Sequence, residues 1–149
     1  MDKKVNMADI SDKIITKRTA QAEGFIKISS KTKKLIKKGD IPKGNVEAVS
    51  KTAGISAAKL TPKALPLCHP ISLTGCSVDV KIEKEGIRAE VKVKARDRTG
   101  VEMEAMFSCS TVLLNIYDMV KPVDKSAEIK FIRLLKKTGG KSGDYERNN

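Results

Sequence analysis

One histidine, His69, stands among thirty Lys and Arg side chains in this chain, inside the stretch LPLCHP (65–70). An imidazole titrates near neutrality and can bind a metal, activate a nucleophile or carry protons. A zinc site needs about four ligands, and the irregularly spaced Cys68, Cys76 and Cys109 do not complete a recognisable set around one histidine. A Cys68–His69 dyad is disfavoured, because adjacent residues on an extended chain point to opposite sides. Pro70 pushes His69 toward that extended conformation. A structural loop histidine and a proton carrier beside an anionic substrate both remain open.

The segment GVEMEAMFSCSTVLLNIYDMVK (100–121) places a second group of reactive residues. At helical spacing Glu104, Ser108, Thr111, Asn115 and Asp118 share one polar stripe, opposite Val101, Ala105, Cys109, Val112, Ile116 and Met119. The polar stripe could face solvent or a ligand. Asp118 and Lys121 lie three apart, close enough for an ion pair or proton exchange. Glu102 and Glu104 sit at the other end, roughly 20 Å away at the α-helical rise. One small-molecule site cannot use both ends of a single helix. Either the ends do different jobs, or two chains build the site.

Two lysines stand beside turns suited to anions. Lys43, in PKGN (42–45), precedes a predicted helix N-terminus. Lys141 lies in TGGKSGD (138–144), where glycines allow close backbone approach to phosphate oxygens. A phosphate-binding G-x-x-x-x-G-K-[ST] loop would need glycine at Leu135 and a following helix, so this tail is not one.

The elements that must position these residues follow from periodicity. The first twenty residues are polar, without sustained period. AEGFIKIS (22–29) reads as a strand, and Ser29–Ser30 cap a short helix that stops at Gly39-Asp40. Val46, Val49, Ala53 and Ala57 mark a second helix, interrupted by Gly54, before a proline-rich loop PKALPLCHP (62–70). Val78, Val80 and Ile82, then Ile87, Ala89, Val91, Val93 and Ala95, alternate with charged residues and predict a hairpin turning at KEG. Pro122 ends the long helix, and AEIKFIRLL (127–135) is the last strand. The order β-α-(α)-β-β-α-β predicts an α+β, ferredoxin-like domain spanning residues 1–149, an antiparallel sheet with helices on one face. The first eight or so residues and the last five are expected to be flexible.

Net charge is +12, and residues 1–63 carry 15 basic against 6 acidic side chains. Such an excess favours an anionic partner. No apolar run approaches a membrane span and no signal segment is evident, so reduced thiols in a cytoplasm are expected. A small basic RNA- or DNA-binding module is the competing class. Only 3% of residues are aromatic, and the hairpin strands carry no ring on which bases could stack, so no nucleic-acid partner is expected.

LPLCHP, TGVEMEA, IYDMVK and TGGKSGD, with PKGN, AGISAAK and KRTAQAEGF, together resemble the cyclic pyranopterin monophosphate synthases of molybdenum-cofactor biosynthesis, over roughly residues 8–145. PKGN carries Asn45 where many relatives have aspartate. The resemblance implies a ferredoxin-like subunit in a homohexamer, a trimer of dimers with active sites at the dimer interface. It implies conversion of 3',8-cyclo-7,8-dihydro-GTP to cyclic pyranopterin monophosphate and pyrophosphate. By motif match, Asp118 and Lys121 form the acid/base centre, with Lys121 holding Asp118 ionised. Lys43, Lys141 and Arg18 neutralise phosphate charge. His69, Met103 and Glu104 line the substrate pocket, Leu67 and Cys68 present backbone to it, and Glu102 is a further candidate lying off the polar stripe. No resident metal or cofactor is implied, although Mg²⁺ could accompany the triphosphate.

Overall fold

A computed structural model describes residues 3–148. Strand β1 (Thr16–Lys27) leads through two helices, α1 (Ser30–Lys38) and α2 (Val46–Ala64), to a hairpin of β2 (Leu73–Ile82) and β3 (Gly86–Asp97). Helix α3 (Glu102–Val120) then returns the chain to β4 (Glu128–Thr138) and a short β5 (Tyr145–Glu146). The strands form one sheet in the order β2-β3-β1-β4-β5, every pair antiparallel. This is an α+β fold with a ferredoxin-like arrangement.

Alternation decides which side of the sheet is core. Ala20, Ala22 and Ile26 of β1 meet Ile87, Ala89, Val91 and Val93 of β3 on the buried face, which α3 covers with Ala105, Cys109, Val112, Leu113 and Ile116. On the opposite face Phe25 and Phe131 stack with centroids 6.4 Å apart. The guanidinium groups of Arg88 and Arg133 lie over these rings and close on Glu23 at 2.8 and 2.6 Å.

β1 begins at Thr16, six residues before the strand expected from the sequence. Its first half, TKRTAQ, buries only Arg18 and Ala20, so it lacks the large apolar alternation that marks a strand, yet it pairs with β3 throughout and with β4 from Thr19. Helix α2 runs through Pro62 to Ala64, three residues into the expected loop. Proline at 62 deprives the Ala58 carbonyl of its amide partner. The Thr61 hydroxyl donates to that oxygen at 3.0 Å in its place. β5, which the sequence reading did not anticipate, pairs Tyr145 and Glu146 with Lys137 and Lys136.

Gly54 does not interrupt α2. It is buried where α2 crosses α3, and a Cβ there would stand 2.5 Å from Val112 Cγ2. Ser108 donates to the Gly54 carbonyl at 2.7 Å, and Asn115 Nδ2 donates to Ser50 Oγ at 3.0 Å. Ser108 and Asn115 of the polar stripe are therefore part of the polar seam of a helix pair and not a ligand-facing surface.

Asp124 fastens the turn after α3 to the start of α1. Its buried carboxylate accepts from Ser29 N, Thr32 Oγ1, Ser126 N and Ser126 Oγ. Burial opposes ionisation, but the donors outweigh it and hold the carboxyl well below the usual range.

Candidate active site

Helix α3 carries candidate site residues at both ends. At its first turn Glu102, Met103 and Glu104 line a cavity of about 220 Å³ together with Leu67, Cys68 and His69 from the loop after α2. Ala8, Ile10 and Lys13 of the N-terminal segment close the remaining side. His69 Nε2 lies 2.6 Å from the Ala8 carbonyl. A carbonyl only accepts, so His69 Nε2 carries a proton and donates it to Ala8.

Glu104 is buried at 3% exposure, and among the described residues its Oε2 has no hydrogen-bond partner. Burial pushes its carboxyl up to about 7, against the pull of its own amide, and the charges of Glu102 and Asp97 add to the rise. A carboxylic acid that changes state near neutrality beside an imidazole can exchange protons with a heterocycle. Burial and the Glu104 charge likewise raise the Cys68 thiol, so Cys68 offers its backbone more readily than a thiolate.

At the last turn of α3 Asp118 is held between two ammonium groups. Lys43 Nζ reaches Asp118 Oδ2 at 2.8 Å and its carbonyl at 3.1 Å, and Lys121 Nζ reaches Oδ1 at 3.1 Å. Lys43 first and Lys121 second hold the Asp118 carboxyl below its ordinary value. The helix ends with no basic residue in its last turn, and Lys43 supplies the missing cation to an unpaired carbonyl. Lys43 therefore sits with Asp118 and Lys121 and not, within this chain, beside the other phosphate-binding candidates.

Those others, Arg18 and Lys141, line a separate cavity of about 450 Å³ with Asp12, Lys13, Thr16 and Gly140. Arg18 is buried and donates from Nη2 to the Arg98 carbonyl at 3.3 Å. Gly140 has φ of +89°, and a Cβ there would lie 1.8 Å from Arg18 Nη1, so glycine is what lets the tail pass the guanidinium.

The sequence candidates thus fall into three groups. His69, Leu67, Cys68, Glu102, Met103 and Glu104 come together, Asp118, Lys121 and Lys43 come together, and Arg18 joins Lys141. Roughly 20 Å of helix separates the first group from the second, and one chain does not gather them around one cavity. Lys137 was missed by sequence reasoning. Its Nζ stands 3.8 Å from Glu102 Oε1 and 3.2 Å from Ser142 Oγ, beside the first cavity. The strand expected from the sequence stops at Leu135, whereas β4 runs on to Thr138, so no sequence pattern marked Lys137. Among the described residues no three His, Cys, Asp or Glu side chains are grouped to hold a metal.

The profile of the MoaC family matches residues 7–140. The chain belongs to the MoaC family. Curated members are similar along nearly the whole length. A cyclic pyranopterin monophosphate synthase of Corynebacterium glutamicum (strain R) is 48% identical over 144 residues, 97% of this chain and 92% of the relative. Synthases of the same name from Nocardioides and Streptomyces avermitilis are 46% and 44% identical, across 95% of this chain and 88% and 84% of theirs. Both ends of α3, the His69 loop and Arg18 lie inside the family match, whereas Lys141 falls just beyond it.

Proposed function

We propose that this MoaC-family chain is a cyclic pyranopterin monophosphate synthase, a lyase of molybdenum-cofactor biosynthesis. Its substrate is 3',8-cyclo-7,8-dihydro-GTP and its products are cyclic pyranopterin monophosphate and pyrophosphate. The carrying observation is Asp118 clamped between Lys43 and Lys121 in a chain 48% identical to a synthase of that name.

The chemistry has two demands. Hydrolysis of the purine's five-membered ring and closure of the pyrazine need protons moved at nitrogen and carbonyl positions. Asp118 with Lys121 and Lys43 serves as the acid/base centre, and His69 and Glu104 bind the heterocycle and can relay protons. Leu67, Cys68, Met103 and Glu102 complete that pocket. Closure of the cyclic phosphate has a sugar hydroxyl attack the innermost phosphorus while the bond to pyrophosphate breaks. Lysines and arginine stabilise the charge that develops, and Arg18 and Lys141 take that part.

The active unit is a homo-oligomer, a hexamer arranged as a trimer of dimers, with each site completed across a dimer interface. The separation along α3 supports this, as does apolar surface on the helices, where Val49, Leu60 and Leu114 are 43%, 54% and 58% exposed. The protein acts in the cytoplasm, without a resident cofactor, and any magnesium ion arrives with the triphosphate. No helix among the described residues is long and apolar enough to cross a membrane.

The test is pyrophosphate release from 3',8-cyclo-7,8-dihydro-GTP by the purified chain. Asp118→Ala is expected to lower kcat by about 10²–10⁴, the span of a lost acid/base group. Absence of release by the unaltered protein removes the proposal.

A further inference from the structure

We infer that Asp124 is a positioning residue: by joining the start of α1 to the turn after α3, it holds Lys43 and Lys121 on either side of Asp118. This deepens the synthase reading and rests on it for the role of Asp118 and its two lysines as the acid/base centre.

The Asp124 carboxylate divides its bonds by oxygen. Oδ1 stays within its own turn, where it accepts from Ser126 N at 2.9 Å and from Ser126 Oγ at 2.6 Å. Oδ2 reaches across to α1, where it accepts from Ser29 N at 2.9 Å and from Thr32 Oγ1 at 2.8 Å. Asp124 is buried, so water does not compete for these bonds. The turn is itself wound onto α3, since Asp124 N donates to the Val120 carbonyl at 2.8 Å. Lys121 lies between that helix end and the anchored carboxylate.

Two cross-links of opposite sign join the same two segments. Helix α1 has no acidic residue in its first turn, and Asp124 brings a carboxylate to its N-terminus from the turn after α3. Helix α3 has no basic residue in its last turn, and Lys43 brings an ammonium to its C-terminus from the turn after α1. Each charge suits the helix end it meets. Helix α1 is otherwise thinly held, because Thr32, the residue bonded to Asp124, is the only one it fully buries. Ile41 ties the following turn to the core at one point, and Asp124 adds a second at the far end of α1. Lys43 and Asp118 are both exposed, and an exposed ion pair keeps its geometry weakly by itself. Asp124 supplies the order that this pair lacks.

The experiment follows the Asp118 carboxyl carbon by NMR titration of the full chain, alongside pyrophosphate release. Among the described residues, Lys43 and Lys121 are the cations within ion-pair distance of Asp118, and they hold its carboxyl below the ordinary value. Its titration therefore reports whether they stay in place. Thr32→Val removes a donor to Oδ2 and no charge. It should raise the Asp118 titration toward the ordinary carboxyl value and lower kcat by about 10–10², the scale of an ångström of misplacement, with KM little changed. Thr32→Ser keeps the hydroxyl and should behave as the parent. Ser126→Ala removes a bond to Oδ1 inside the turn; it should lower the melting temperature as Thr32→Val does, yet leave Asp118 and kcat alone. An unmoved Asp118 or an unchanged kcat in Thr32→Val, or an equal shift in Ser126→Ala, overturns the inference and leaves Asp124 a structural cap. Should Thr32→Val fail to fold, Asp124→Asn decides. Deleting its negative charge by itself lowers the Asp118 titration, so a rise there requires loosened lysines, and a fall or no change overturns the inference. If the parent releases no pyrophosphate, the synthase reading falls and the Asp118 shift alone decides the positioning.

Discussion

Glu104 and Asp118 are carboxylates on one helix with opposite electrostatic fates. Asp118 is half exposed between two ammonium groups that favour its charge. Glu104 is walled off, with one oxygen unpartnered among the described residues and acidic neighbours that disfavour its charge. The consequence can be measured without substrate. Glu104's carboxyl stands at about 7 when folded and near 4.5 when unfolded. The folded state therefore binds the proton more tightly. The stability this contributes is complete below about pH 4.5 and is lost as pH rises through 7. Glu104→Gln keeps the neutral shape and cannot ionise. Its melting temperature should match the parent at pH 4.5 and exceed it by on the order of 10 °C at pH 8. Identical pH profiles for both proteins would show that Glu104 is solvated after all.

At the scale of elements, the decisive contact is the crossing of α2 over α3. Gly54→Ala improves helix propensity by about 1 kcal/mol, but it forces a methyl to within 2.5 Å of Val112 Cγ2 and 3.0 Å of Val78 Cγ2. Overpacking outweighs propensity here, and a net loss of about 1–2 kcal/mol is expected by chemical denaturation. A stabilised Gly54→Ala variant would mean that the helices separate easily. The same crossing explains what could be read from the sequence and what could not. The hairpin alternation, the Ser29 cap and the apolar stripe of α3 are local patterns, and each element formed where its pattern lies. The roles of Ser108 and Asn115 depend on a partner helix fifty or more residues away, which no local period reveals. The early start of β1 was hidden because small and charged residues fill its inward positions. The site was legible as motifs, and its grouping was not. Lys43 pairs with Asp118 across 75 residues, and Arg18 meets Gly140 only because the tail at the other end of the chain folds back to it.

For the whole molecule, the distance along α3 is the strongest constraint. Asp118 and the pocket at His69 and Glu104 lie roughly 20 Å apart, too far for a bicyclic heterocycle to touch both in one chain. A two-fold dimer that sets the start of one α3 beside the end of its partner's resolves this and makes two equivalent sites. Mixing then has a quantitative outcome. Asp118→Ala and His69→Ala proteins, each inactive alone, should regain activity after subunit exchange. In a mixed dimer one site collects both substitutions and the other collects neither. With random exchange half of the dimers are mixed and half of their sites are intact, so recovery should approach about one quarter of parental activity. If both residues act within one chain, every site keeps one lesion at any mixing ratio. Verified exchange without recovered activity would therefore place the whole reaction inside a single subunit, which the separation along α3 does not allow without rearrangement of the fold.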